Sequence, residues 1–364
     1  MRIGLITPGF SADAGDWCIP ALRHLARTLA TRDDVRVVAV RYPHRRARYR
    51  MDNVEVIALG GAERRGIAAA GVWRDALRLL QAEHRRRRFD VLHAFWATES
   101  GLLAALAGRL LGIPTLVSLA GGELVGLRDI DYGDQRHMWE RLKVRASLRL
   151  ASAVTAGSAL LVARAGGEVN GNRLYRAPLG VDLRLFTPDG RRAGGGARLI
   201  HVATLTRVKD QATLLRAFAG LRQRRREASL EIVGSGPLRA ELERMVHALD
   251  LTDAVQFRGE LDHAALPEAY RSADGFVLSS RHEAQGMVAL EAAACGLPVA
   301  GTSVGVLPEL TGDVAPVGAS EALAAAMAAT LAATAVPTPR LRSEFGLDEC
   351  TDRFRALYAS LLAA

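Results

Sequence analysis

Residues 279–310 read SSRHEAQGMVALEAAACGLPVAGTSVGVLPEL, and this stretch is the clearest α/β unit of the chain. An apolar strand leads into it, and after a short loop an Ala-rich helix is predicted from Met287 to Cys295. Gly296 suits the end of that helix, and Pro298 prevents its continuation into the next apolar run. A strand, a loop, a helix and a second strand in this order are the repeating unit of a parallel sheet.

Two carboxylates, Glu283 and Glu291, flank the start of this helix with seven residues between them. The first backbone N–H groups, near Gly286, Met287 and Val288, have no intrahelical partner and carry the positive end of the helix dipole. Such a helix start suits a phosphate, and the two acids suit ribose and sugar hydroxyls. The stretch therefore predicts a site for an anionic, polyhydroxylated ligand. The alternative is a solvated helix with two surface acids, but such a helix would carry more charge.

Length and composition indicate a globular protein of two domains. The chain has 364 residues, of which 49% are hydrophobic and 24% are charged. No apolar run approaches the roughly 20 residues of a membrane span, and residues 1–7 are typical of a first strand, not of a signal peptide. The three cysteines lack the spacing of metal ligands, and reduced thiols predict a cytoplasmic location.

The net charge of +9 is concentrated in the first half of the chain. Residues 1–178 contain 28 Lys+Arg and 17 Asp+Glu, a balance of +11, whereas residues 179–364 contain 20 and 22, a balance of −2. The excess lies mainly in residues 41–50 and 84–88. This half could face anionic lipid as a peripheral contact, a phosphorylated acceptor or nucleic acid, and a solvated surface is the alternative. Aromatic residues do not interleave with the arginines, so nucleic acid is not predicted as a partner.

Short apolar strands alternate with helices in both halves. The predicted strands are residues 2–7, 35–40, 54–59, 91–94, 115–119 and 153–156, then 199–203, 230–233, 255–258, 275–279 and 298–300. The pattern predicts an α/β protein with two Rossmann-like, doubly wound domains that face each other across a cleft. A Pro/Gly-rich passage at 177–182 is the best boundary. We predict a first domain over 1–178, a second over 179–345, and a C-terminal helix in 346–364 that packs back towards the first domain.

Lysine is rare in this chain, because only Lys143 and Lys209 are lysines among 48 cationic residues. Lys143 lies in a predicted amphipathic helix and is expected to face solvent. Lys209 follows a strand, with Arg207 two residues before it and a helix start near Gln211. A Lys and an Arg in this position would bind a diphosphate and stabilise it as a leaving group. A solvated turn is the alternative.

The chain resembles glycosyltransferase family 4, the large retaining family with the GT-B fold, most clearly from Pro178 to Leu310. Five segments in order carry the resemblance: LGVD at 179–182, TRVKDQ at 206–211, VGSGPL at 233–238, VQFRGEL at 255–261, and the pair of acids at 283 and 291. The first half resembles the family through DVLH at 90–93 and AGGE at 120–123.

The resemblance implies a retaining transfer of a hexose-type sugar from a nucleotide diphosphate sugar to a hydroxyl acceptor, with no cofactor and no metal. The implied catalytic group is Arg207, Lys209 and Glu283, in which Lys209 contacts the donor diphosphate and Glu283 lies near the donor sugar. Glu291 is implied to hold the ribose. The other implied positions are Gly286, Met287, Val288, Arg258, Leu261 and Gly15 on the donor side, and His93, Gly121, Gly122 and Glu123 on the acceptor side.

Two positions depart from the family pattern. Thr204 stands where the family has an arginine five residues before the lysine, and Arg207 is the candidate replacement. Ala120 stands where the family commonly has a histidine, and His93 either compensates in part or is structural. These departures keep open a non-catalytic nucleotide-sugar or glycan-binding protein on the same scaffold.

An epimerase or a phosphorylase of similar fold is a further alternative. A pyridoxal-phosphate phosphorylase would need a lysine for the Schiff base, and Lys209 is already assigned to phosphate. Asp129 and Asp131 have the spacing of a metal-binding pair, but they lie in a loop-like stretch, and no metal site is predicted.

Overall fold

The computed structural model describes residues 1–62, 67–190, 196–333, 335 and 338–363. Within it the chain divides into two compact units, Met1–Gly180 with Leu347–Ala364, and Val181–Gly346. These bounds differ by one or two residues from the segments predicted from the sequence. Each unit contains its own largely parallel sheet, so the predicted α/β class is confirmed.

The first unit is built on an eight-stranded sheet. Its strands are β1 (Arg2–Gly9), β2 (Asp34–Tyr42), β3 (Arg46–Met51), β4 (Val54–Leu59), β5 (Val91–Phe95), β6 (Thr115–Leu119), β7 (Ala153–Ala156) and β8 (Leu174–Arg176). The strand order is β3-β4-β2-β1-β5-β6-β7-β8, and every neighbouring pair is parallel except β3 with β4. The central strands β1 and β5 are buried almost throughout, as expected for a sheet that is covered on both faces.

Five helices follow in the first part of this unit. They are α1 (Pro20–Leu29), α2 (Ile67–Arg86), α3 (Glu99–Leu111), α4 (Met138–Leu150) and α5 (Ala159–Ala165). The helix α3 packs on both α4 and β5. None of the helices within the described residues is long and apolar enough to cross a lipid bilayer.

The second unit contains a six-stranded parallel sheet. Its strands are β9 (Arg198–Val202), β10 (Ser229–Val233), β11 (Val255–Gly259), β12 (Gly275–Leu278), β13 (Val299–Thr302) and β14 (Val314–Ala315). Its helices are α6 (Gln211–Arg222), α7 (Arg239–Ala248), α8 (Leu266–Ser272), α9 (Met287–Ala294), α10 (Leu307–Leu310), α11 (Ser320–Thr330) and α12 (Thr338–Phe345). The strand order β11-β10-β9-β12-β13-β14 is the Rossmann order, in which the direction of winding reverses between β9 and β12. Ligands of such sheets bind beyond the carboxyl ends of the strands at this reversal.

The last helix, α13 (Leu347–Ala363), belongs to the first unit. Its buried side chains recur at helical spacing, at Cys350, Phe354 and Tyr358 among others, so one face of the helix is apolar. Phe354 and Tyr358 lie in the same apolar cluster as β1 and β5. Arg355 adds an ion pair at the edge of this face, with Nε 2.8 Å from Oδ2 of Asp33.

Candidate functional site

The loops that follow β9 and β12 are joined by hydrogen bonds. These two strands are parallel neighbours, so both loops leave the same edge of the sheet, at its point of reversal. Arg281 N–H donates to the carbonyl of Val208 at 2.7 Å. The hydroxyl of Ser279 donates to the carbonyl of Lys209, also at 2.7 Å. The candidate residues of the two loops are therefore held in one place.

An ion pair between Lys209 and Glu283 lies at the centre of this loop pair. Nζ of Lys209 is 2.5 Å from Oε1 of Glu283, although the two residues are 74 positions apart in sequence. The hydroxyl of Ser280 donates to the same oxygen at 2.7 Å. The side chains are 23% and 12% exposed, so the pair is partly shielded from water but open to a ligand.

Arg207 lies at the start of the short 3-10 turn that contains Lys209, and its side chain is exposed. Among the described residues no hydrogen bond or ion pair to its guanidinium is formed. The turn itself is fixed, because Gln211 donates from Nε2 to the carbonyl of Thr204 at 3.0 Å. Thr204 is exposed and offers no charge, so Arg207 is the cation beside Lys209 at this strand end.

The helix α9 begins at the same edge of the sheet. Its N-cap, Gly286, has φ of +87°, a left-handed conformation that glycine adopts without strain. The N–H groups of Met287 and Val288 have no acceptor within the described part of the chain. They therefore present the positive end of the helix dipole next to Glu283.

A second glycine fixes the loop that leads into α9. Gly305 has φ of +56°, and a Cβ at this position would lie only 2.3 Å from the carbonyl oxygen of Gln285. That carbonyl accepts a hydrogen bond from Val306 N–H at 2.8 Å. The loop of Glu283 is thus packed against the chain that follows β13, and a side chain at Gly305 would displace it.

Glu291 lies one turn into α9 and is buried, with 7% of the residue exposed. Its Oε2 accepts a hydrogen bond from the hydroxyl of Tyr270 at 3.1 Å, and its Oε1 lies 4.0 Å from Nε2 of His263. Burial raises the pKa of Glu291 to about 7, and the hydrogen bond from Tyr270 acts in the opposite direction. This carboxyl therefore ionises at a higher pH than a surface glutamate does.

Tyr270 and His263 were not predicted as part of the site. Tyr270 is completely buried, and its ring lies 6.0 Å from that of Phe276 and 6.2 Å from that of Phe186. His263 is T-shaped to Phe186 at 5.4 Å. These aromatic side chains pack together and place the hydroxyl of Tyr270 and the imidazole of His263 next to Glu291. No local sequence motif indicates this arrangement.

The remaining donor-side residues lie outside the loops that follow β9 and β12. Arg258 is near the end of β11 at an exposed position, and its Nη1 lies 3.4 Å from Oε2 of Glu231. Leu261 follows that strand and packs on the apolar cluster of the second unit. Gly15 is an exposed residue of the first unit, in the loop between β1 and α1, where its N–H donates to Asp13.

His93, which the resemblance places on the acceptor side, lies in the core of the first unit. It is completely buried in β5. Nδ1 is 2.7 Å from the hydroxyl of Tyr358, and Nε2 is 2.7 Å from the hydroxyl of Ser118. Burial lowers the pKa of His93 to about 3, so the ring is neutral and both nitrogens are occupied within the core.

Glu123, also predicted on the acceptor side, is buried as well. Only 1% of the residue is exposed, and its carboxylate accepts three backbone N–H groups. The donors are Ala97 at 3.2 Å, Ala120 at 3.0 Å and Gly121 at 2.7 Å. Burial raises the pKa of Glu123 and these bonds oppose the rise. The residue holds the loop after β6 in shape.

The two glycines beside Glu123 are closely packed. A Cβ on Gly121 would lie 2.5 Å from Nε1 of Trp96. A Cβ on Gly122 would lie 3.1 Å from the ring of Tyr132. Both predicted acceptor-side glycines thus have a structural reason for their identity, and nothing in their surroundings assigns them an acceptor contact.

Metal ligands were not predicted, and the residues described contain no group of three or more His, Cys, Asp or Glu side chains placed to hold a metal ion. Asp129 lies in a 3-10 turn, and Oδ1 of Asp131 forms an ion pair with Nη2 of Arg136 at 2.6 Å. The Asp129–Asp131 spacing therefore corresponds to a surface turn.

Two family profiles match the chain, and together they cover both units. The profile described as "Glycosyl transferases group 1" matches residues 187–337, and the one described as "Glycosyl transferase 4-like domain" matches residues 19–173. The first match contains the loops of Lys209 and Glu283 and the helix of Glu291. The second contains β5 and the loop of Glu123.

Curated relatives resemble the chain over much of its length. D-inositol 3-phosphate glycosyltransferase of Paenarthrobacter aurescens is 30% identical over 257 residues, which are 66% of this chain and 61% of that protein. D-inositol 3-phosphate glycosyltransferase 2 of Catenulispora acidiphila is 31% identical over 256 residues, 64% of this chain and 59% of that protein. The chain spans less than two thirds of the length of these relatives.

Solved structures resemble the whole chain. Sucrose-phosphate synthase of Thermosynechococcus elongatus has a TM-score of 0.80 and 23% identity, and the match covers 100% of this chain and 99% of that one. Anabaena HepE, solved in complex with UDP and glucose, has a TM-score of 0.73 and 19% identity, with 99% and 100% covered. At these identities the likeness establishes the fold alone, and the GT-B class predicted from the sequence is confirmed.

Proposed function

This chain belongs to the family 4 glycosyltransferases, and on that premise we propose that it transfers a sugar from a nucleotide diphosphate sugar to a hydroxyl acceptor. The observation that carries the proposal is the joined loop pair at the sheet reversal of the second unit. It brings Lys209, Glu283 and the start of α9 to one edge of the sheet. This is where a Rossmann-type sheet binds its ligand.

The diphosphate of the donor binds, in this proposal, between the two cations and the helix start. Lys209 and Arg207 supply positive charge, and the N–H groups of Met287 and Val288 supply donors that have no other acceptor among the described residues. Both groups would stabilise the nucleoside diphosphate as it leaves with its bonding electrons. Arg207 would serve where the family arginine is replaced by Thr204.

The ion pair of Lys209 and Glu283 suggests how the site responds to the donor. Without a donor the carboxylate neutralises Lys209 at 2.5 Å. A diphosphate offers more negative charge than one carboxylate, and Lys209 would turn to it. Glu283, still held by the hydroxyl of Ser280 at 2.7 Å, is then free to accept hydrogen bonds from the donor sugar. The same pair would thus bind both halves of the donor.

Glu291 is proposed to bind the ribose hydroxyls. Tyr270 holds one oxygen of its carboxyl at 3.1 Å, which leaves the other oxygen for ligand hydroxyls. A ribose with two vicinal hydroxyls donates best to an ionised carboxylate. Because burial raises the pKa of Glu291 to about 7, this interaction would strengthen as the pH rises through neutrality.

The finer features of the reaction follow the family resemblance. We propose retention at the anomeric carbon, with the acceptor hydroxyl attacking from the face that the diphosphate leaves, a hexose-type donor, and no metal or cofactor. The D-inositol 3-phosphate glycosyltransferases support a hydroxyl acceptor, and HepE, solved with UDP and glucose, supports a nucleotide hexose. A cytoplasmic location and an anionic or membrane-presented acceptor remain predictions.

A protein that binds a nucleotide sugar without transferring it is a second candidate. The specific observation in its favour is that His93 is buried and Ala120 occupies the position of the family histidine, so neither supplies an imidazole at the loop of Glu123. This candidate shares the donor site with the first, and only turnover distinguishes them.

The test combines ligand binding with turnover. The thermal stability of the whole protein is measured with a panel of nucleoside diphosphates and their sugars. A ligand at about 100 times its dissociation constant raises stability by roughly 2.7 kcal/mol. Release of the nucleoside diphosphate is then followed, with and without added polyol or glycoside acceptors.

The variants are Lys209→Ala and Glu291→Gln, and the matched control is Lys143→Ala, which removes the other lysine of the chain. Transfer and donor hydrolysis should fall in both variants and persist in the control. Unchanged activity in both variants would contradict the assignment. Binding of a nucleotide sugar with no turnover on any acceptor would favour the second candidate.

A further inference from the structure

The helix α4 exposes three large apolar side chains to solvent. Met138 is 64% exposed, Trp139 is 71% exposed and Leu142 is 48% exposed. Trp139 is the exposed one of the four tryptophans, since the other three are partly buried. Isolated exposed apolar residues are common, but three within five positions of one helix form a patch that usually marks an interaction site.

The exposed residues lie together because of the helical repeat. Val144, Ser147 and Leu148 are the buried positions of α4, and they face the body of the unit. Met138 and Leu142 are four residues apart and share the opposite face, and Trp139 lies beside them. We call this the α4 face, defined by Met138, Trp139, Arg141, Leu142, Arg145 and Arg149, all of which are exposed.

The charge on the α4 face is uniformly positive. Arg141, Arg145 and Arg149 follow one another at intervals of four residues, so they form a ladder beside the apolar side chains. Glu140, at the flank, is neutralised by Lys143. Arg145 has Glu168 at 3.8 Å, but both side chains are more than 40% exposed, and such a pair contributes little.

We propose that the α4 face docks the protein on the surface of an anionic lipid bilayer. Charge complementarity selects this partner, because arginines beside a tryptophan, a methionine and a leucine combine attraction to anionic headgroups with side chains that enter the headgroup–acyl boundary. Tryptophan in particular prefers that boundary. The balance of +11 in residues 1–178 adds to the attraction.

The helix lies on the membrane in this proposal and does not cross it. It has 13 residues, and its opposite face is committed to the core of the unit through Val144 and Leu148. Docking therefore uses side chains that are already exposed and needs no unfolding. The inference depends on α4 alone, so it stands or falls separately from the donor site.

The experiment measures binding of the full-length protein to vesicles by sedimentation. One set is phosphatidylcholine alone, and the other is equal parts phosphatidylcholine and phosphatidylglycerol. Binding is expected to the anionic set only, and it should weaken at high salt as the charges are screened. The tryptophan fluorescence should shift to the blue at the same lipid concentrations, because Trp139 leaves water.

Two variants test the two halves of the surface. Trp139→Ser with Leu142→Ser removes apolar contact and should weaken partitioning by about tenfold or more. The second variant combines Arg141→Gln, Arg145→Gln and Arg149→Gln. It should weaken partitioning by roughly a hundredfold, because each arginine near an anionic surface strengthens binding by about fivefold. The matched control replaces three exposed arginines of the second unit by Gln, at Arg224, Arg226 and Arg244, and should bind as the wild type does.

The outcomes are distinct. Loss of vesicle binding and of the blue shift in both α4 variants, with the control unaffected, supports the proposal. Equal binding of all variants, binding to neutral vesicles alone, or no binding to either vesicle set overturns it. Concentration-dependent dimerisation that the same α4 substitutions abolish, without any lipid binding, assigns the face to a second copy of the chain and also overturns it. Unchanged thermal unfolding of each variant establishes that the fold is intact.

Discussion

Tyr270 donates its hydroxyl hydrogen to Oε2 of Glu291 at 3.1 Å, in a part of the second unit where both side chains are buried. A buried carboxyl with one specific donor is held in one orientation. The bond therefore fixes the orientation of the carboxyl, and it opposes the rise in the pKa of Glu291 that burial causes.

Tyr270→Phe removes this bond and keeps the ring. We expect the free energy of unfolding to fall by about 1–2 kcal/mol, because a buried acceptor loses its donor. The pKa of Glu291 should rise further, since the hydrogen bond lowers it. The donor KM should increase several-fold, and its pH profile should move to higher pH. Tyr175→Phe, at a 37% exposed position, is the control. If the pH profile of the donor KM is unchanged in Tyr270→Phe, the positioning role of Tyr270 is excluded.

Glu291 should make the stability of the protein depend on pH. Its folded pKa of about 7 lies above its ordinary value of 4.5, so between these values the folded state holds more protons than the unfolded state. Its contribution is fully present below the unfolded pKa and is lost as the pH rises through 7, by up to about 3 kcal/mol. Denaturant unfolding at a series of pH values measures this slope.

Glu291→Gln removes the titrating group and should flatten that part of the slope. Identical slopes in wild type and variant would show that Glu291 is already ionised at low pH.

Glu283→Gln separates the two halves of the proposed donor site. The substitution removes the carboxylate that neutralises Lys209 at 2.5 Å, so a nucleoside diphosphate without sugar should bind as well as before or up to about tenfold better. Sugar transfer should nevertheless fall by a hundredfold or more in order of magnitude, because hydroxyl contacts in the transition state are lost. Isothermal titration and initial rates measure the two effects. Weaker binding of the bare diphosphate would contradict the exchange of partners at Lys209.

Tyr358→Phe tests the structural position of His93. The variant loses the 2.7 Å bond to Nδ1 and leaves that nitrogen unpaired in the core, which should cost about 1–2 kcal/mol of stability. The KM values for donor and acceptor should stay unchanged, since the bond is buried in the core of the first unit. An altered acceptor KM without a change in stability would support His93 as an acceptor-side residue.

Most of the sheet strands could be predicted, because buried parallel strands are short apolar runs. The ends of strands 54–59, 115–119 and 153–156 agree with β4, β6 and β7. The strand β3 was missed because its sequence, RARYRM, lacks such a run. It alternates exposed and partly buried residues on the edge of the sheet, and Arg46 and Arg48 pair with acids of neighbouring elements. The basic segment at residues 41–50 is thus partly neutralised by these ion pairs.

The candidate site was predictable where the chemistry is local and not where it depends on strand order. The helix expected at Met287–Cys295 is confirmed as α9, because its composition and its glycine and proline signals are local. The contact of Lys209 with Glu283 requires β9 and β12 to be neighbours, which no local pattern specifies. The buried position of Glu123 could not be predicted either, since the three backbone N–H groups that surround its carboxylate come from two different loops.

The two ends of the second unit are tied to each other. Val181 N–H donates to the carbonyl of Phe345 at 2.8 Å, and Val181 also forms a bridge with Gly346. The chain thus enters and leaves the second unit at neighbouring residues. Residues 181–346 therefore form an inserted domain, and their removal leaves two chain ends that a short peptide linker could join. The second unit could therefore be expressed as one continuous segment, or exchanged between relatives by two cuts, without interrupting either sheet.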